Sequence, residues 1–561
     1  VNLPPHLRRT LPPLVMAVVA ALVMAALLWP IPLELRSRRL DGAFFDGHVW
    51  CFDHIYRMLI GQAPWSLTTD RMGFPDPTEI RFIGWIPGLA AAALRPLLGP
   101  LGSLNAVVLL SPVAAALAAW ALARRALSVP SWIAAAAALT YGLCPYALGS
   151  VSNGQIAKFS HWVLPLVLLA FAELVHGRRK VLGGTGLVLA TVACSFTSPS
   201  MTLFVPFATG LWGVWAILDR RGARPRTALL AGAALALTAL SMLPAWRYYA
   251  GGIGDDSFAP GAHLEDGHVP LAAPPMARPA DILLGTTPRQ VNPELSSHVT
   301  YLGLPLLLAT LPLSFRRFRG RSLAWALVAV GVVVALGPRL AEGEAYVTLG
   351  GRHLAMPAAL LDRAGYPLAV SGMYYRSIVV ASLGLCLVLG AGLGRLAPRW
   401  AIPLAWVLAA VGIADGVRAT GELWPCPSQP YSDREALTEI AADPTPGAVL
   451  DFPMETGSYG NGLHMLAAVF HGRPTTALLK ITNLESDPAL SSVDFQLIVA
   501  AAAGSPQHAR TSLRAKGYSH VVYRTDVRDL GGSSARLEAI FGPPMRRGKL
   551  LIWPLAARGG G

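Results

Sequence analysis

Charge is scarce in this sequence. Of 561 residues only 14% are charged, against about a quarter in an average soluble domain, while 53% are hydrophobic; that balance excludes a soluble reading. Acids are scarcer than bases, 32 Asp and Glu against 46 Lys and Arg, for a formal balance of +14. The excess is not a nucleic-acid patch, because it falls in short clusters between apolar segments, as the signals that orient membrane spans do. Cysteine is also sparse. The five, at 51, 144, 194, 386 and 426, include no CxxC and no His/Cys cluster at ligand spacing, so neither a zinc site nor a disulfide framework is indicated. A Walker loop, GxSxG, HExxH and a GxGxxG between strand and helix are all missing, which leaves ATP hydrolysis, serine-hydrolase, zincin and dinucleotide chemistry without support.

What is present is a series of long apolar runs. Crossing about 30 Å of hydrocarbon takes roughly 20 helical residues, and such runs lie near 14–33, 104–123, 130–148, 160–176, 182–196, 200–218, 227–246, 299–315, 322–338, 376–394 and 400–417. The first follows Arg8 and Arg9, has no small-residue cleavage site and precedes many more, so it reads as an uncleaved first helix. Residues 82–99, FIGWIPGLAAAALRPLLG, are ambiguous, and the positive-inside rule arbitrates. If they only dip into the membrane, Arg8/Arg9, Arg124/Arg125, Arg178/Arg179/Lys180, the Arg220 to Arg226 group, Arg316/Arg317/Arg319/Arg321 and Arg395/Arg399 share one face. If they cross, all but the first group fall outside. The expectation is therefore a cytoplasmic N-terminus in a bacterial inner membrane, about eleven spans, and a re-entrant or surface-lying helix at 82–99.

Four outer segments result, at 34–103, 149–159, 247–298 and 339–375. Irregular backbone at membrane depth survives only inside protein or beside water, so these loops are expected to fold over a shared cavity. From about residue 420 acids return and the hydrophobic period shortens. GAVLDFPM (447–454), SHVVYRTD (519–526) and KLLIWPL (549–555) read as strands, with helical patterns around 432–442 and 505–517. The fold class is thus an all-α polytopic membrane domain, 1–419, followed by a small extracytoplasmic α/β domain, 420–561, ending in a frayed Arg558-Gly-Gly-Gly tail.

The first outer loop contains RRLDGAFFDGHVWCFDHIYRMLIGQAPW. A helix begun near Asp46 would carry Val49, Phe52, Tyr56, Leu59 and Ile60 on one apolar stripe along the bilayer surface. Asp46, Trp50, Asp53 and Arg57 would share a flank, because offsets of four, seven and eleven residues nearly complete whole turns. A carboxylate facing a lipid-accessible cavity there suits a general base, taking a proton from an acceptor hydroxyl while a sugar–phosphate bond breaks; burial would raise its pKa. The plainer alternative makes Asp46 a helix cap and Asp53 with Arg57 a surface ion pair.

The order of spans, the loop FFDGHVWCFDHIYRMLIGQAPW, the following RMGFPDPTEI and the run SLNAVVLLSPVAAALAAWALARRAL together resemble the GT-C class of membrane glycosyltransferases, in its largely uncharacterised bacterial branch. NGQIAKFSHWVLPLVLLAF resembles the second outer loop of that class entering the next span. PADILLGTTP with HVTYLGLPLLLATL resembles its large loop before a later span, and GYPLAVSGMYYRSIVVASLGLCLVLGAGL its arginine-headed span. The resemblance implies an aspartate base early in the first outer loop, a place Asp46 occupies, and a polyprenyl-phosphate sugar as donor. Many members carry a second acid in the second outer loop, whereas SVSNGQIAKFSHW has none. No metal ligand is therefore assigned, no required cation is predicted, and a divalent cation is left open.

Lys158 and Arg376 head helices where a lipid phosphate needs cations, or else snorkel to the interface. Tyr375 beside Arg376 suits either a sugar platform or an aromatic belt, and His161, beginning a span, is either a substrate contact or structural. The expected substrate-binding set is Asp53, Arg57, Lys158, His161, Tyr375 and Arg376. Asp255, Asp256, Glu265, Asp266 and His268 crowd the large loop as a solvated cluster, and Asp76 reads as a turn residue. The expected function is inverting glycosyl transfer from a polyprenyl-phosphate-linked sugar to an extracytoplasmic glycan, lipid or protein acceptor, with the bilayer and no nucleic acid as partner. Its rivals are a transporter or flippase, against which stand span interiors nearly free of charge and the absence of a repeat between halves, and a non-catalytic scaffold of the same fold.

Overall fold

The computed structural model describes residues 5–40, 45–66, 68–75, 77–80, 84–151, 160–219, 224–253, 278–285, 300–342, 345–364, 374–420, 427–453, 462–477, 506–527 and 533–556. Each apolar run picked out in the sequence overlaps a helix, since straight-chain and small apolar residues lose little conformational freedom in that state. Among the described residues, seven helices are long and apolar enough to cross a membrane, and the pair Ser131–Gly142 and Pro145–Val151, bent by 44°, makes an eighth if taken as one span. Three more apolar helices, Ser160–His176, Leu304–Leu313 and Arg321–Ala335, occupy the remaining expected places. The last two are short: at 1.5 Å per residue they reach about 15 and about 23 Å, less than the roughly 30 Å of a full crossing. Eleven apolar segments are thus in place, of which seven or eight have a full span's length.

The chain divides into two compact units. The first takes in Val1–Leu33, Gly84–Pro87 and Ala106–Pro427. Its centre is the Ile378–Leu393 helix, whose sixteen residues are all buried. A helix apolar on every side can be stable only when surrounded, and here Arg321–Ala335, Ser131–Gly142 and Leu304–Leu313 pack around it. Within the same unit, Ala341–Glu342 pairs antiparallel with Ala345–Tyr346, and Thr348–Leu349 with Arg352–His353.

The second unit combines Glu34–Ile83, Gly88–Asn105 and Ser428–Gly561. The loop after the first helix and the α/β segment at the end of the chain therefore share one body. Its four-stranded sheet runs in the order Met545–Arg547, Leu550–Pro554, Tyr518–Arg524, Ala448–Phe452. The first two pairings are antiparallel and the third parallel. Leu450, Phe452, Leu513, Tyr518, Val521, Leu537 and Trp553 make its core, and Phe74 from the early loop packs against it. The chain also extends the sheet edge: Thr475 bridges Val449 on one side and Met72 on the other, both in parallel sense.

Residues 82–99 are described from Gly84. They open a helix, Trp85–Ala126, interrupted at Gly99, where φ is 70° and ψ is −179°. The part before the break, with its continuation to Asn105, belongs from Gly88 onward to the second unit, and the rest to the first.

Candidate functional site

Asp46 stands in the first turn of the Phe45–Leu59 helix and is buried. Its Oδ2 accepts a hydrogen bond from Nη1 of Arg39 at 2.8 Å, and Arg39 is buried too. The arginine is held by backbone. It sits in the strand Arg38–Leu40, which pairs antiparallel with Ser428–Pro430 so that Arg39 lies opposite Gln429. Asn105 fixes the approach to that strand, its Nδ2 donating to the carbonyls of Leu35 at 2.9 Å and Arg38 at 2.8 Å. Tyr431 continues the pairing, its N–H donating to the Ser37 carbonyl at 2.8 Å. Its buried ring lies in the field of both Arg39 and Asp46 and of a second ion pair, Arg524 with Asp433. In that pair Nη2 donates to Oδ2 at 2.6 Å, with both side chains almost fully buried, and Asp526 takes a second hold on the guanidinium at 3.2 Å. Burial pushes the Tyr431 phenol well above its ordinary range, so it acts as a neutral group between two charged pairs.

Seven residues on, Asp53 is fully buried and collects three guanidiniums: Arg57 at 2.7 Å, Arg71 at 3.6 Å, and Arg95 in direct contact. The three come from different elements: Arg57 from the same helix, Arg71 from the loop that follows, and Arg95 from the helix beginning at Trp85. Arg71 lies over the Trp50 ring at 5.7 Å and Arg95 over the Tyr56 ring at 4.7 Å. The helices meet closely because Gly88 faces Phe52 and Ile55, and a Cβ there would overlap Ile55.

This corrects the plainer alternative, in which Asp53 and Arg57 are a surface ion pair: the pair is internal. Val49, Phe52 and Ile55 are buried, and so are Asp46, Trp50, Asp53 and His54; only the end of the segment, with Leu59 and Ile60, is open. The polar flank does not need solvent because internal guanidiniums balance its carboxylates, and the Gly462–His471 helix packs against it. His54 stacks on Trp50 at 5.3 Å. Burial first, and then the charge of Arg71, lower its pKa to about 4, so the imidazole is neutral near pH 7.

The other sequence candidates belong to the first unit or fall outside the described residues. His161 is buried; its carbonyl accepts the Tyr141 hydroxyl at 2.8 Å and its ring meets the Tyr141 ring edge-on at 5.0 Å. Tyr375 is buried, and its hydroxyl accepts Nε of the half-buried Arg376 at 3.0 Å. Tyr146 lies within electrostatic reach of both. Ser377 ties this turn down by donating to the carbonyls of Gly331 at 2.7 Å and Tyr374 at 2.8 Å. Lys158, Asp76 and the group Asp255, Asp256, Glu265, Asp266 and His268 lie outside the described residues. Among the described residues no three His, Cys, Asp or Glu side chains stand together as a metal site would need.

Sequence reasoning missed Arg39, Arg71, Arg95, Tyr431 and Arg524. Two of them carried a signal. Arg95 is a lone cation inside the apolar run LAAAALRPLL, where an unpaired charge is costly and therefore implies a partner. Arg39 belongs to a basic group, Arg36, Arg38 and Arg39, on the side of the first span that the positive-inside rule leaves poor in cations.

No protein-family model and no curated protein sequence matches the chain. Solved structures do. The chain superimposes on the arabinofuranosyltransferase AftD from Mycobacteria with a TM-score of 0.58 at 17% identity, over 97% of its own length and 41% of that protein's. ArnT from Cupriavidus metallidurans bound to undecaprenyl phosphate gives a TM-score of 0.53 at 14% identity, over 98% and 99% of the two chains. An oligosaccharyltransferase from Archaeoglobus fulgidus tethered with an acceptor peptide gives 0.51 at 12% identity, over 93% and 70%. The fold is that of the GT-C membrane glycosyltransferases. The chain spans about two fifths of the arabinofuranosyltransferase and nearly the whole of ArnT. At these identities the likeness is one of architecture.

Proposed function

We propose that the chain is an integral-membrane glycosyltransferase that moves a sugar from a polyprenyl-phosphate donor to an acceptor outside the cytoplasm, with inversion. The observation that carries this is the likeness running over nearly the full length of both this chain and an ArnT that holds undecaprenyl phosphate. In this reading the loop after the first helix and the C-terminal α/β segment face away from the cytoplasm, in an inner membrane entered from a cytoplasmic N-terminus.

The acceptor hydroxyl oxygen attacks the anomeric carbon from the face opposite the phosphate. The C–O bond to phosphate breaks, polyprenyl phosphate leaves with the bonding pair, and the hydroxyl proton passes to the Asp46 carboxylate. Arg39 positions that carboxylate: it is fixed by a strand pairing and by Asn105, so the acceptor atom is held without rearrangement. Arg376, with Tyr375 against it, and Lys158 hold the leaving phosphate. No step needs a metal ion, and the acceptor is a glycan, lipid or protein hydroxyl.

The test is release of polyprenyl phosphate by the purified protein from a panel of polyprenyl-phosphate pentoses and hexoses, with and without EDTA. Release from at least one donor, unchanged by EDTA, is expected. No release from any donor, together with transport of the intact lipid in vesicles, would replace this reading by the flippase one.

A further inference from the structure

The three arginines around Asp53 carry more charge than the site balances. Arg57, Arg71 and Arg95 place three positive charges on one carboxylate, a local excess of two. Among the described residues Asp53 is the one carboxylate paired with any of them. An uncompensated buried cation is strongly destabilising, so such excess persists where something else supplies the counter-charge. Arg71 is the least satisfied member: it stands 3.6 Å from Asp53, and its Nη1 and Nη2 are buried with no hydrogen-bond partner. Burial and the neighbouring charges of Arg57 and Arg95 both weaken its hold on its proton.

Accessibility gives the direction from which a counter-ion could come. The Asp53 side chain has 0% exposure, whereas those of Arg57, Arg71 and Arg95 keep 21%, 13% and 16%. Solvent thus reaches part of each arginine side chain, although not Nη1 and Nη2 of Arg71, and does not reach the anion. Two of the guanidiniums are also oriented by aromatic faces, Arg71 by Trp50 and Arg95 by Tyr56. Planar forks fixed in this way suit a multiply charged oxyanion rather than a single halide.

We infer that Arg57, Arg71 and Arg95, spaced by the buried Asp53, form a binding site for a phosphoryl dianion. Asp53 keeps the three arginines together and does not touch the ligand. The site does not include Asp46, and it needs no glycosyl transfer in order to bind. The shared chemistry is the phosphoryl group, whether free or at the head of a lipid.

Binding is measured on the full-length protein in detergent by calorimetry and thermal unfolding, using inorganic phosphate, pyrophosphate and a short-chain alkyl phosphate, with chloride at matched ionic strength. Saturable binding and stabilisation by the phosphoryl probes beyond chloride are expected, with Arg71→Gln weakening binding about 10- to 100-fold. Asp53→Asn raises the local excess to three and is expected to tighten binding, the opposite of what damage to a purely structural ion cluster would do. Binding of the alkyl phosphate alone would assign the site to lipid headgroups; equal binding of inorganic phosphate would assign it to the phosphoryl group itself. Because a variant can fail to fold, the wild type is also modified with phenylglyoxal and mapped by mass spectrometry: the probes should protect Arg71 and Arg95. Chloride-like behaviour of all probes, or binding that neither Arg71→Gln nor modification alters, would overturn the inference whether or not the protein transfers sugar.

Discussion

Two carboxylates on one short helix, Asp46 and Asp53, meet different company, and the difference separates their roles. Asp46 pairs with Arg39, which in the proposed mechanism holds the base in place, whereas Asp53 meets three guanidiniums and in the proposed phosphoryl site spaces them. Two histidines in the same unit set its acid limit. His54 and His471 are both buried, and burial lowers each pKa from 6.5 to about 4. Each folded pKa lies below the unfolded one, so the contribution is complete above about pH 6.5. Below that the unfolded chain binds protons that the folded chain refuses, and stability falls until the pH has passed about 4. The loss is on the order of 3 kcal/mol per histidine. Thermal unfolding between pH 7 and 4.5 should show a steep decline in wild type and a shallower one in His54→Gln and His471→Gln; equal slopes would contradict the assignment.

At the scale of elements, the segment Met72–Phe74 behaves as an outlying strand of the C-terminal sheet. Gly73 and Phe74 donate their N–H groups to the carbonyls of Ala477 and Thr475 at 3.1 Å each, and the Phe74 ring meets the Tyr518 ring edge-on at 5.2 Å. Replacing Phe74 by Ala should cost about 2 kcal/mol, less than a fully buried Phe because the ring is only partly buried. Hydrogen exchange should then rise together in residues 72–74 and 475–477, and exchange confined to one side would argue against the docking. The sheet's main strands were legible because Ala448–Phe452, Tyr518–Arg524 and Leu550–Pro554 are dense in β-branched and aromatic residues between turn signals. Met545–Arg547 was not, being three residues with no apolar alternation. Nor was the pairing of Arg38–Leu40 with Ser428–Pro430, since a bond between residues nearly four hundred positions apart leaves no local pattern. The helix bearing Asp46 was legible in position, but the burial of its polar flank was not: periodicity marks an apolar stripe, but it cannot tell that the polar flank will be covered by arginines from elsewhere.

For the whole molecule, the joining of the early loop and the chain's last segment in one unit means that both must lie on the same side of the membrane. Single cysteines at exposed Trp65 and Lys549 in a background without the native cysteines should therefore label with an impermeant maleimide from the same side, the outer one; labelling from opposite sides would break the topology. The central claim is that the carboxylate at 46 takes the acceptor's proton, and the most direct test is the single-turnover rate of sugar transfer from a polyprenyl-phosphate donor by Asp46→Asn, whose amide keeps the size and loses the base. A fall of about two to four orders of magnitude, with donor affinity retained, is the expected result. Transfer at the wild-type rate would contradict the account.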